Sequence, residues 1–131
     1  MSDGRRTHSS GAPWEPVVGY SRAVRVGKHV HVSGTAAVGS GGEVVGRGDP
    51  AAQMRQCLRT VLEALRALGA EPRHVVRTRT YVVDIGQWEA IGRVHGEVFG
   101  DIRPATSMVQ VAALIRPDLL VEVEAEAIID D

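Results

Sequence analysis

The chain has 131 residues, 44% apolar and 24% charged, with a formal net charge of −1, a balance ordinary for one globular domain able to bury about two thirds of its unfolded surface. So little charge excludes a general attraction to phosphate backbones, and two Trp, two Tyr and one Phe give few platforms for stacked bases, so nucleic acid is not expected as a partner. The apolar runs fall short of the ~20 residues of a membrane span, the N-terminus has no apolar signal core, and the single Cys57 excludes an intrachain disulfide; the expected setting is cytoplasmic, with no membrane partner.

Residues 1 to 13 are polar, rich in Gly and Ser and without periodicity, and read as a disordered N-terminal arm; one domain is expected over 14 to 131. Ser21 to Val26 and Val30 to Ala36 read as strands joined through Gly27-Lys28, whose leading glycine suits a tight hairpin turn. On the second strand His29, His31, Ser33 and Thr35 fall on one face, opposite Val30, Val32, Gly34 and Ala36. A His-x-His pair can bind metal, but no third ligand stands at a recognisable spacing, so a half-exposed polar face is expected, with no metal. The five glycines between 39 and 49 lack the Gly-Lys-Ser/Thr ending of a phosphate loop and read as a turn around a short Glu43-Val44-Val45 strand.

Asp49-Pro50 supplies an N-cap and a first-turn proline, and Met54, Leu58, Val61, Leu62, Leu65 and Leu68 recur at helical spacing until Gly69. Val75 to Val83 reads as a strand with Arg77, Arg79 and Tyr81 on one side and Val76, Thr78, Thr80 and Val82 on the other. A second helix is expected from Gln87 to Phe99, with an apolar stripe of Trp88, Ile91, Val94, Val98 and Phe99. Gly92 and Gly96 weaken it by about 1 kcal/mol each relative to Ala, and His95 reads as a helix-surface residue. After Pro104 a strand places Thr106, Met108 and Gln110 opposite Ser107, Val109 and Val111, and a Pro117-Asp118 turn leads into the last strand. There 119, 121, 123, 125, 127 and 129 are apolar while 122, 124 and 126 are glutamate, the alternation of a strand with one buried face. The order strand, strand, helix, strand, helix, strand, strand gives an α+β class, a mixed sheet with two helices packed on one face. Apolar residues left over for the other sheet face favour its burial by self-association.

Gly19-Tyr20-Ser21, Val32-Ser33-Gly34, the stretch Thr78 to Asp84, Pro104-Ala105-Thr106-Ser107-Met108-Val109 and the Val121-Glu122-Val123-Glu124-Ala125 ending together resemble the Rid family. These are the reactive-intermediate deaminases, also known as YjgF-like or L-PSP endoribonuclease-like proteins, and the likeness covers roughly residues 15 to 129. The resemblance implies a homotrimer whose sheets build a barrel, in a chorismate-mutase-like architecture, with ligand clefts between subunits. It further implies hydrolytic deamination of a small enamine or imine metabolite with no cofactor. Carried over by position, Glu122 is the water-activating carboxylate, and Tyr20, Ser33, Gly34, Thr106, Ser107, Met108 and Gln110 are substrate-binding. The family's arginine, which forks onto a substrate carboxylate, falls at Thr106; Met108 stands at a frequent cysteine, Gln110 at a glutamate and Gly92 at an asparagine. Charge-assisted bonds are worth roughly 1.5–3 kcal/mol each, so the expected substrate differs from 2-aminoacrylate unless Arg77, Arg79 or Arg103 replaces the clamp. The alternative is a non-catalytic small-molecule-binding or structural trimer in which Glu122 is simply solvated beside Glu124 and Glu126.

Overall fold

The alternation at the C-terminal end of the chain sets the sheet. In the computed structural model, which describes residues 4–130, strand β6 (Val121–Ile128) buries Val121, Val123, Ala125 and Ala127 at no more than 2% exposure and turns its glutamates to the opposite face. It lies between β3 (His29–Ala36) and β4 (Val75–Val82), antiparallel to both. Strand β2 (Ala23–Val26) pairs with β3 through a turn in which Gly27 takes φ 59°, a value that favours glycine. Strand β5 (Ala105–Gln110) runs parallel to β4 at one edge. The sheet is therefore mixed, with a further strand β1 (Arg5–His8) giving the order β1-β2-β3-β6-β4-β5, and the α+β class expected from the sequence holds.

At the other edge the structure corrects the sequence. Arg5–His8 form strand β1, antiparallel to β2, where a disordered arm is expected; residues 1–3 of that expectation lie outside the described residues. These four positions carry no apolar alternation and are held through backbone pairing, which leaves no side-chain signature. A short helix, α1 (Trp14–Val18), follows and stops at Gly19, whose φ is 87° and whose N–H donates to the Glu15 carbonyl at 2.8 Å.

Helix α2 (Pro50–Ala67) starts where Asp49 accepts a hydrogen bond from the Ala52 N–H at 3.1 Å and lays Met54, Leu58, Val61 and Leu65, each at most 1% exposed, across β6 and β3. Helix α3 (Trp88–Phe99) packs on α2 and buries Ile91, Val94 and Phe99. Trp88, which directly follows a 3-10 turn at Ile85–Gln87, leaves the expected stripe and is 59% exposed.

Two irregularities shift side chains between faces. Val76 occupies a register break between Val75 and Arg77 and is exposed, although the alternation places it with Thr78. A second break between Val32 and Thr35 puts Thr35, 2% exposed, on the buried side with Val30 and Val32, although simple alternation groups it with His29 and His31. The expected Glu43 to Val45 strand shrinks to one bridge between Val38 and Val44. The sheet face away from the helices is more charged than expected: Arg79 reaches Glu126 at 2.9 Å and Glu124 at 3.7 Å, and the Tyr81 hydroxyl donates to Glu124 at 3.0 Å. Val26, Val76, Val109 and Ile128 lie exposed among these ion pairs.

Candidate active site

The β3 irregularity shapes the site. It brings the Gly34 backbone against the Glu122 carboxyl so closely that a Cβ at position 34 would fall on Glu122 Oε2, a place only glycine fits with Glu122 as it stands. The Ser33 hydroxyl donates to the Ser21 carbonyl at 2.6 Å, tying the bulge to the segment before β2. Arg22, 5% exposed, fastens the remaining parts. Its Nη1 donates to the Gly34 carbonyl at 2.6 Å and the Thr35 hydroxyl at 3.1 Å, its Nη2 to the Tyr20 hydroxyl at 3.2 Å and its Nε to Ser10 Oγ at 3.4 Å.

A buried guanidinium needs a partner charge, and Glu15 lies 3.9 Å away. Glu15 is itself clasped by the Ser9 hydroxyl at 2.8 Å, the Ser10 hydroxyl at 2.7 Å and the Ser10 N–H at 3.2 Å. Burial pushes the Glu15 carboxyl up, but the serine hydrogen bonds and Arg22 together hold it below its ordinary range. Glu122 goes the other way: burial, then the Glu124 carboxylate, push its pKa up, and Arg22 only partly opposes them. The result is a carboxyl with raised proton affinity lining a hollow of about 970 Å³, a size usual for small-ligand sites. Tyr20, Ser33 and Gly34 line it too, and Trp14, Val18, Leu114 and Ile115 add apolar surface.

The structure thus gathers four of the sequence-derived site residues, Tyr20, Ser33, Gly34 and Glu122, around one hollow. Within one chain it does not bring the other four to it. Thr106, Ser107, Met108 and Gln110 lie on β5, at the sheet edge beyond β4. Thr106 Oγ1 is 2.7 Å from Thr78 Oγ1, Ser107 Oγ accepts from Arg77 Nη2 at 3.1 Å, and Gln110 Oε1 accepts from the Ile85 N–H at 2.9 Å; Met108 packs against the core. Of the candidate replacement cations, Arg77 is engaged with Ser107 and Arg79 with Glu126, while Arg103 takes φ 58° at the turn into β5. Sequence reasoning misses Arg22, Thr35 and Glu15. A buried arginine has no periodic signal, and the only hint is its place two residues after Tyr20. Among the described residues no group of three or more His, Cys, Asp or Glu could hold a metal ion, and no helix is long and apolar enough to cross a membrane.

A mixed sheet with helices on one face and a half-buried carboxylate seated against a glycine bulge defines a small α+β domain with a carboxylate-based cleft. The family model described as Endoribonuclease L-PSP matches residues 10–129, and the chain belongs to this family, the Rid or YjgF-like proteins. A crystal structure of a YjgF/YER057c/UK114 family member from Mycobacterium tuberculosis is 51% identical, superposes with a TM-score of 0.88 and covers 96% of this chain and 100% of its own. The 3-aminoacrylate deaminase RutC of Acinetobacter baylyi is 34% identical over 86% of this chain and 88% of its own. The human 2-iminobutanoate/2-iminopropanoate deaminase is 33% identical over 83% of this chain and 79% of its own.

Proposed function

We propose that the protein hydrolyses a small enamine or imine metabolite to a carbonyl compound and ammonia, in clefts between the subunits of a homotrimer. The observation that carries this reading is Glu122, half-buried and raised in proton affinity, lining a hollow together with Tyr20, Ser33 and Gly34. The deaminase names of the relatives from Acinetobacter and human support the reaction class. In the proposed mechanism Glu122 takes a proton from water as the oxygen attacks the imine carbon and passes it to the nitrogen, giving a carbinolamine; it then carries the hydroxyl proton of that intermediate to the nitrogen, so that ammonia leaves and the carbonyl forms. An imine is already electrophilic, so positioning and one proton carrier suffice. Arg22 donates to the Tyr20 oxygen, which leaves the phenol proton to be offered to substrate.

In a trimer β5 of one subunit would form the facing wall of a neighbour's hollow, and Thr106 would then stand where the family resemblance places an arginine. The substrate accordingly differs from 2-aminoacrylate. The test is ammonia release from a panel of imines generated in situ, acidic and neutral, with purified protein. Release above the buffer rate for at least one of them is expected; rates equal to buffer across the panel would leave a small-molecule-binding or structural trimer instead.

A further inference from the structure

A second polar cluster lies outside the Glu122 hollow, where α3 meets β4 beside β5. Thr78, fully buried on β4, has its hydroxyl oxygen 2.8 Å from His95 Nε2 and 2.7 Å from Thr106 Oγ1. The parallel register sets Thr106 directly beside Thr78, so the three groups form one file from a half-buried imidazole through a buried hydroxyl to an exposed one. Thr78 has a single proton to give, so when it donates to one neighbour it accepts from the other. Whenever Thr78 donates within it, the file points one way or the other as a unit.

The His95 ring is held against Phe99 with centroids 4.8 Å apart, and burial favours its neutral form. A neutral imidazole has one donor and one acceptor nitrogen, so either direction is open. With Nε2 accepting, Thr106 turns its proton inward and offers lone pairs outward; with Nε2 donating, Thr106 offers its proton outward. Trp88, Gly92 and His95 fall on one face of α3 by their spacing, and a side chain at Gly92 would meet nothing within 4 Å, so this face is open beside the file.

We infer that Thr106, Thr78 and His95 form a hydroxyl–imidazole relay that presents a neutral, reversible hydrogen-bonding group to a ligand. It suits a carbonyl, amide or hydroxyl group and not a carboxylate. This deepens the deaminase reading and rests on it for the ligand's identity: the substrate class is an enamine or imine whose far end is uncharged. A guanidinium clamp gives a carboxylate two charge-assisted bonds; the relay gives it one bond and no compensating charge. For a neutral acceptor that loss does not arise. Thr106 contacts the ligand, and Thr78 and His95 are positioning residues.

The experiment compares ammonia release from the imine of an amino acid and from that of its amide, using wild type, Thr106→Val, His95→Gln, the double variant, and Glu122→Gln as the control for the chemistry. The amide-derived imine should be favoured in kcat/KM by about tenfold or more. Each single variant should lose about tenfold on that imine, and the double variant should be no slower than the slower single one, because the groups act as a unit. In the ligand-free protein the ¹⁵N resonance of His95 Nε2 should move in Thr106→Val, an isosteric change at an exposed position that carries the test should His95→Gln fail to fold. Glu122→Gln abolishing turnover while both relay variants stay within about twofold of wild type would overturn the relay and spare the deaminase reading. Absence of turnover on any imine would defeat the deaminase reading alone; the His95 resonance would then decide, and no movement in Thr106→Val would overturn the relay.

Discussion

Glu122 and its neighbours illustrate how one carboxyl among three on a strand becomes distinct. Glu124 and Glu126 share its face, but only Glu122 is opposed by the Gly34 bulge, and the burial that follows pushes its pKa up. A general base must be ionised, and a folded-state pKa above the ordinary value of about 4.3 means that ionisation completes at higher pH. The acid limb of the pH–rate profile should therefore lie above that value, and a limb at or below it would contradict the electrostatics described. Gly34→Ala should displace the carboxyl, since the obstructing atoms are the end of a flexible side chain. Activity is expected to fall by about tenfold or more with little change in Tm, read by thermal melts beside the rate assay. The sequence made Glu122 legible through alternation and resemblance together. It did not disclose Arg22, whose role depends on three long-range hydrogen bonds, to Ser10, Gly34 and Thr35, that no local pattern encodes.

Among the elements, those with strong periodicity were readable. Helix α2 has its Asp49 cap, its proline and its apolar stripe where the sequence places them, and Asp49→Ala should cost about 1 kcal/mol, seen as a lowered urea midpoint at unchanged slope. Strand β1 was not readable, because backbone pairing with β2 orders four residues that carry no apolar alternation. The bulges at Ser33-Gly34 and Val76 were not readable either, since a register break reverses faces without altering composition. The ion-pair ladder between β4 and β6 makes a further expectation. The hydrogen bond from Arg79 holds Glu126 below the ordinary carboxylate range, as Arg73 does Asp130. A depressed folded-state pKa gives stability that is present above the unfolded value of about 4 and is lost as pH falls through the folded one. Urea midpoints should thus decline between the unfolded and folded values, and Glu126→Gln should flatten part of that decline; an unaltered slope would show the pair to be inert.

At the scale of the whole molecule, the sheet face away from the helices and the β5 edge complete the account. Exposed Val26, Val76, Val109 and Ile128 interleave with paired charges, a surface suited to a polar, specific subunit contact more than to an apolar one. Light scattering is expected to give three times the 14.0 kDa chain mass, and a monomer would remove the shared cleft. If β5 of a neighbour faces Glu122, Thr106→Arg should raise 2-aminoacrylate deamination by about tenfold or more in a protein still trimeric. No gain would mean that the cleft differs from the family's carboxylate-binding form by more than this residue. Most of the architecture could be read from patterns inside single elements, but the facing of two cleft walls in the proposed trimer would belong to the assembly and is written in no single segment. The central claim, that Glu122 activates water against an imine carbon, is tested most directly by the rate of ammonia release from the best imine substrate in matched samples of wild type and Glu122→Gln. The account predicts a loss of at least about a hundredfold with the oligomer intact; a variant as fast as wild type would contradict it.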